Sequence, residues 1–374
     1  MHILVVPSNY PNAAQPNAAP FFRDQVDLLL QRGHDVGVLS IVPLQFKNWL
    51  RAGLVKQPQH IQLLFPAIPK LSALTSWVRF QISKYLIKRY IKCFGKPEVI
   101  HVHAYMAGEV AIWAKKKLGI PYVITEHYSH FYQSNSEAWR LKLAKKVYQQ
   151  ASKRIAVSSP FKLSLENSFQ EPFEVIGNLI DPNFENEKVA ETPPKEFFIL
   201  NVARLVPIKN HELLLRSFKL AHSEKPELKL EIIGAGPELS KLQTLASKLD
   251  IADNIIFHGE CNKEFIKARM KDALATVLTS DYETFGVVLV ESLSVGTPVV
   301  TTNVGGTSDI VSSEQLGYLC QADEGEVAGA IIDLIENPKD SRLIKEIIVT
   351  KFGKNRFYER MRKAYEDAIG IRDL

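Results

Sequence analysis

Residues 280–309 read SDYETFGVVLVESLSVGTPVVTTNVGGTSD, and the fold is decided there. The apolar run 275–278 just before them suits a buried strand. Glu283, Thr284, Phe285 and Gly286 then stand where a helix should start; the helix carries a second acid, Glu291, and stops near Gly296. A β-branched strand follows at 298–302, and Gly305-Gly306 makes a turn. Strand, helix and strand in so short a span form a βαβ unit, the connection that joins parallel strands. The two carboxylates stand eight residues apart, one before the helix and one about two turns inside it. At ~1.5 Å rise per residue that spans on the order of 12 Å, roughly the length of a sugar-diphosphate-ribose unit. The free N–H groups of the helix start would lie between them, where a phosphate is well received.

The same alternation extends in both directions. Upstream, apolar runs at 2–6, 36–39, 99–102, 122–125 and 154–157 suit buried strands, with amphipathic segments at 21–31, 105–118 and 137–151 between several of them. Residues 41–97 are less regular, though 71–94 reads as one long helix bearing Trp77, Phe80, Tyr85 and Tyr90. A charged, proline-bearing stretch at 185–195 marks a boundary. After it come strands at 197–202, 228–233 and 255–258, helices at 212–222, 238–249 and 263–272, then the opening stretch. The tail, 325–336 and 339–369, reads as helix. Two doubly wound α/β units are expected, divided at 184/185. Ligands of such sheets bind at the carboxyl ends of the strands. Arg204, Lys209, Gly234, Gly236 and Glu283 all follow strands, so they share the expected ligand edge of the second unit.

With 46% hydrophobic residues and a mean hydropathy of -0.07, the 374-residue chain is an ordinary globular protein, long enough for two domains. Cys93, Cys261 and Cys320 lie far apart without metal-ligand spacing, which fits a reducing, cytoplasmic setting. The first residues read as a strand rather than an export leader, and no run is long enough to span a bilayer. The net charge of +5 conceals an asymmetry. Residues 1–175 hold 22 Lys+Arg against 10 Asp+Glu, and the remainder holds 24 against 31. A basic half invites an anionic acceptor or membrane surface, whereas ordinary solvated helix faces would look the same. The basic, aromatic segment 71–96, with Phe46, Trp49 and Lys56, is the candidate for such a contact.

Several constellations carry chemistry. Arg204 and Lys209 place a planar guanidinium and a compact ammonium on one strand-to-helix loop, suited to a leaving diphosphate; as an isolated pair they would be two solvated loop charges. Gly234-Ala235-Gly236-Pro237 is part of a dinucleotide fingerprint without its third glycine, and a helix-entry turn explains it equally. Glu283 and Glu291 suit an acid/base pair, or an acid favoured by the helix dipole plus an ordinary helix residue. Val287, Val288, Leu289, Val290 and Leu293 flank Glu291, so it is expected to be buried and to need hydrogen-bond donors such as ribose hydroxyls. His101, His103 and His127 follow strands of the first unit, but no Glu or Cys completes a metal-ligand spacing, and no Asp-x-Asp occurs. Phosphate charge is expected to meet cations and backbone N–H groups rather than a metal ion.

Taken together these pieces resemble the retaining glycosyltransferases of family 4 (glycosyl transferases group 1), which have the GT-B fold of two Rossmann-like domains facing each other across a cleft. The resemblance runs through Pro7-Ser8-Asn9-Tyr10-Pro11, Arg32-Gly33-His34-Asp35-Val36, Val99-Ile100-His101-Val102-His103, Thr125-Glu126-His127 and Val175 to Asp181. It is strongest at Arg204 with Lys209, at Gly234 to Pro237, at Glu283/Glu291 with Phe285-Gly286, and at Gly305-Gly306. It departs from the family's pattern in the glycine-free stretch 12–20, at Gly177 and at Asp309.

The resemblance implies an acceptor-binding domain at 1–184, joined by a returning helix at 355–374, and a donor-binding domain at 185–354. It implies metal-independent transfer, with retention, from a nucleotide-diphosphate sugar to a hydroxyl of a glycan, a lipid-linked acceptor or a cell-surface polysaccharide precursor. Glu291 would bind the ribose. Glu283 and the backbone of Thr284, Phe285 and Gly286, with Gly234 nearby, would hold the sugar and its phosphate. Arg204 and Lys209 would stabilise the diphosphate, and His127 would contact the sugar. Peripheral membrane contact through the basic half is compatible with this reading, and no nucleic acid is expected. A nucleotide-sugar epimerase of the same architecture and a non-catalytic bilobal sugar-binding protein are the alternatives.

Overall fold

The computed structural model describes residues 1–11, 20–44, 53–57, 60–66, 72–128, 138–189 and 197–371. Residues 12–19 of the glycine-free stretch, Phe46, Trp49 and most of the boundary stretch therefore lie outside the described residues, and of Lys56 only the backbone is described. The chain divides into two compact units, 1–179 with 357–374, and 180–356.

The first unit contains β1 (His2–Pro7), α1 (Pro20–Gln31), β2 (Asp35–Leu44), β3 (Gly53–Gln57), β4 (His60–Pro66), α2 (Ser72–Phe94), β5 (Val99–His103), α3 (Glu109–Leu118), β6 (Tyr122–Glu126), α4 (Ala138–Gln150), β7 (Lys153–Ala156), α5 (Ser159–Phe169) and β8 (Glu174–Val175). Its sheet runs β3-β4-β2-β1-β5-β6-β7-β8, parallel except for the β3–β4 pair at one edge. The central strands are buried along almost their whole length, as parallel strands covered on both faces must be. Residues 105–118, expected as one helix, are a 3-10 turn (Tyr105–Ala107) and α3, separated by Gly108. The irregular stretch 41–97 holds the β3–β4 hairpin, which carries no clear alternation of apolar and polar residues.

The second unit contains α6 (Pro182–Glu185), β9 (Phe198–Val202), α7 (His211–Glu224), β10 (Lys229–Ile233), α8 (Leu239–Lys248), β11 (Ile255–Gly259), α9 (Lys263–Asp272), β12 (Ala275–Leu278), α10 (Val287–Ser294), β13 (Val299–Thr302), α11 (Thr307–Ile310), β14 (Gly317–Cys320), α12 (Glu324–Glu336) and α13 (Ser341–Phe352). All its strands are parallel, in the order β11-β10-β9-β12-β13-β14. This doubly wound order reverses direction between β9 and β12, and the crevice at such a switch point is where ligands bind. Side-chain caps fix the helix starts: Asn210 accepts from the Leu213 amide, Asn262 from Phe265, and Asp323 from Gly325 and Glu326. Leu214, Leu215, Phe218, Leu230, Ile232, Val277, Val327 and Ile331 form the core on one face of the sheet.

The tail is not one helix from 339 to 369. Gly353, in extended conformation, ends α13 and separates it from α14 (Lys354–Ile369). Phe357, Met361, Ala364 and Tyr365 of α14 are buried in the core of the first unit with Ile3, Val26, Val38 and Val99.

Candidate functional site

In the second unit the loops after β9 and β12 meet at the switch point. The Asp281 amide donates to the Ile208 carbonyl at 2.9 Å, the Asn210 side-chain amide donates to Asp281 Oδ1 at 2.7 Å, and the Thr279 hydroxyl donates to the Asn210 carbonyl at 3.0 Å. These bonds bring Lys209 and Glu283 together. Their ammonium and carboxylate form an ion pair, and the Ser280 hydroxyl donates to the same Glu283 oxygen at 2.8 Å. Both side chains keep some solvent contact, 20% and 12% exposed, so the pair is accessible to a ligand. Arg204, five residues before Lys209 on the same loop, is exposed.

The Gly305-Gly306 turn is the floor under Glu283. The Gly306 amide donates to the Glu283 carbonyl at 2.9 Å. At Gly305 (φ 51°) a Cβ would stand 1.8 Å from that carbonyl oxygen, so only glycine lets the two backbones approach so closely. Gly234 is constrained in the same way: at φ 145° a Cβ would meet the Ala203 carbonyl oxygen at 1.9 Å, next to Arg204. Thr284 is partly exposed and Phe285 buried, its ring 5.3 Å from that of Phe352. Gly286, with φ 105°, is the N-cap of α10. The first amides of α10 follow just after Glu283, and a helix start receives an anion through its N–H groups and dipole.

Glu291 corrects one expectation. It is half-exposed rather than buried, and as the fifth residue of α10 it lies one turn inside, because residues 283–286 are not helical. Leu289, Val290 and Leu293 turn into the core, leaving Val287, Val288 and Glu291 on the more open face. With residues 283–286 outside the helix, the rise of ~1.5 Å per residue does not hold between Glu283 and Glu291.

In the first unit the three histidines gather at the matching edge, between β1, β5 and β6. His101 Nε2 lies 2.8 Å from the Thr125 hydroxyl, and His101 Nδ1 lies 2.8 Å from the Tyr365 hydroxyl on α14. His103 Nδ1 is 3.2 Å from His127 Nε2, and the His101 and His103 rings are in tilted contact with centroids 4.0 Å apart. Phe22 covers both His103 and His127, with centroids at 4.3 and 5.2 Å. Burial pushes the His101 and His127 imidazoles down to about 3, and His103 well below its ordinary value, so all three are neutral at neutral pH. His127 is partly exposed, yet its Nδ1 is shielded from solvent and has no hydrogen-bond partner among the described residues. No group of three or more His, Cys, Asp or Glu among the described residues is placed to hold a metal ion.

Glu126, quoted in the sequence only as part of a motif, proves to organise this edge. Its fully buried carboxylate accepts from the amides of Tyr105, His127 and Tyr128, each at 2.9 Å, and from the Tyr148 hydroxyl at 2.7 Å. Burial raises its pKa, and the hydrogen bonds oppose that shift. It thereby fixes the backbone from which His127 projects. The available signal was an acid closing an otherwise apolar strand, where a buried charge must find several donors.

Residues 20–184 match the family described as Glycosyltransferase Family 4, and residues 183–348 match Glycosyl transferases group 1. Among curated relatives, an uncharacterized glycosyltransferase of Methanocaldococcus jannaschii is 27% identical over 85% of this chain and 84% of its own. D-inositol 3-phosphate glycosyltransferase of Thermobispora bispora is 26% identical over 74% of this chain and 72% of its own. Among solved structures, sucrose-phosphate synthase from Thermosynechococcus elongatus superposes with a TM-score of 0.78 at 18% identity, covering 99% of this chain and all of that one. At that identity the likeness establishes the architecture alone.

Proposed function

The chain belongs to the glycosyltransferases with the GT-B fold, and from that premise we propose that it transfers a sugar from a nucleotide-diphosphate sugar to a hydroxyl acceptor, with retention of configuration and without a metal ion. The observation that carries the proposal is the cluster at the switch point of the second unit. There a lysine, a carboxylate and a helix start converge where a doubly wound sheet binds its ligand.

In this reading the amides at the start of α10, with Lys209 and Arg204, receive the diphosphate. Glu283 grips the sugar, and Glu291, on the open face of α10, accepts hydrogen bonds from the ribose. The bond from the anomeric carbon to the phosphate oxygen breaks, and a bond to the acceptor oxygen forms on the same face of the sugar. The acceptor's proton passes to the leaving diphosphate. Catalysis is electrostatic, through fixed donors aimed at charge that grows on the leaving group. His127, neutral at neutral pH, contacts the donor sugar in this reading.

Titration calorimetry with UDP, GDP and ADP identifies the nucleotide. Glu291→Ala should abolish that binding, and unchanged affinity would remove Glu291 from the donor site. Activity should survive a chelator such as EDTA, whereas strong inhibition would contradict metal-free transfer. Proton NMR of the product reports retention. An epimerase of the same fold would instead convert the sugar with no acceptor present.

A further inference from the structure

Helix α2 has one face that packing within the first unit leaves open. Ser83, Leu86, Ile87 and Tyr90 are buried, with Tyr90 set against Gly37 on β2 and hydrogen-bonded to His2 on β1 at 2.7 Å. At roughly 100° per residue, Leu74, Trp77, Gln81, Tyr85, Lys88 and Lys92 fall on the opposite side as a single stripe. Leu74, Trp77 and Tyr85 are 43%, 58% and 61% exposed, three large apolar side chains on one stripe. Lys88 and Lys92 are exposed at the far end of the stripe.

Charge identifies what the stripe faces. Between Asp35 and Glu98 the chain has no Asp or Glu, against ten Lys and Arg. The helix itself carries five basic residues and no acid. A second copy of this helix would offer these ammonium groups no counter-charge. An anionic lipid surface offers one, and its interface accommodates Trp and Tyr, whose apolar rings carry a polar tip.

Orientation gives the contact a purpose. The Arg79 guanidinium donates to the Met106 carbonyl, on the turn that follows β5. The aromatic end of α2 therefore lies at the carboxyl edge of the sheet, the edge that carries His103 and His127. We propose that the α2 stripe docks the first unit on an anionic membrane surface, aromatic residues inserted and lysines on the headgroups, so that an acceptor carried by a lipid is met at that edge. Among the described residues no helix is long and apolar enough to cross a membrane, so the contact is peripheral.

The inference extends the acceptor half of the transfer reading. Vesicle binding is measured without donor or acceptor, so either can fail alone. The full-length protein is sedimented with vesicles of phosphatidylcholine, or of phosphatidylcholine and phosphatidylglycerol in equal parts. Binding is expected only to the second, weakening as salt is raised. Lys88→Gln with Lys92→Gln should lower the partition coefficient on the order of 30-fold, from the effect of two cations near an anionic surface. Trp77→Ser should lower it further. Both variants should match the parent in circular dichroism and in the thermal transition of the first unit, which shows that they fold. Absent binding, binding indifferent to lipid charge, or variants that bind as the parent does would each overturn the proposal. So would variants that turn a dimer into a monomer in analytical centrifugation, since the stripe would then cover a second copy.

Discussion

Lys209 and Glu283 neutralise each other across the switch point, and this makes their substitutions separable. In the proposed reading a diphosphate arriving at α10 would compete with the Glu283 carboxylate for the Lys209 ammonium, so the carboxylate would weaken diphosphate binding while serving the sugar. Glu283→Gln removes the competitor and keeps a hydrogen-bonding side chain of the same size. It should leave the Kd for the free nucleoside diphosphate unchanged or lower, while kcat falls on the order of 100-fold through loss of a preorganised polar contact. Lys209→Met should do the reverse to binding, raising that Kd. Calorimetry and steady-state kinetics on the two variants check this, and a matching loss of diphosphate affinity in both would remove the competition from the account.

Among the elements, α14 ties its sequence position to the histidine cluster most directly. The Tyr365 hydroxyl, fully buried and with its pKa pushed up by burial, keeps its proton and shares a hydrogen bond with His101 Nδ1, while His101 Nε2 shares one with the Thr125 hydroxyl. Tyr365→Phe should destabilise the first unit by about 1–3 kcal/mol, the cost of leaving the buried His101 Nδ1 without its partner. Urea unfolding followed by circular dichroism measures it. The position of α14 in the first unit's core could not be read from periodicity, because an amphipathic stripe shows that a helix packs and not against what. Most strands of both sheets were legible, since a strand buried on both faces must be an uninterrupted apolar run. β14 escaped notice because Gly317, Tyr318 and Cys320 dilute that signal. The switch-point residues were legible too, because loops after parallel strands carry few residues that packing alone explains. The burial of Glu291 was misjudged because apolar neighbours in sequence occupy different faces of a helix, and Val287 and Val288 share its open one.

On the scale of the whole molecule, the two units differ in what acid does to them. In the first, among the described residues, five histidines are lowered by burial before any other cause: His101 and His127 to about 3, His103 well below its ordinary value, and His34 and His60 as well. The second has one comparable group, His211, lowered by burial to about 4. A histidine whose native pKa lies below its unfolded value near 6.5 lets the unfolded chain bind the proton first. The stability it contributes is therefore complete above about pH 6.5 and declines as pH falls toward the native value, by ~1.4 kcal/mol per pH unit for each residue. Glu126 acts in the opposite sense. Burial raises its pKa, so the native state takes up that proton first and offsets part of the loss in the more acidic half of the window. Scanning calorimetry between pH 7.5 and pH 5 should show the transition of the first unit moving to lower temperature more steeply than that of the second. His127→Gln should flatten the slope of the first transition and leave the second unchanged. Equal slopes for the two transitions in the parent protein would mean that the histidine cluster is not the acid-sensitive element of the fold.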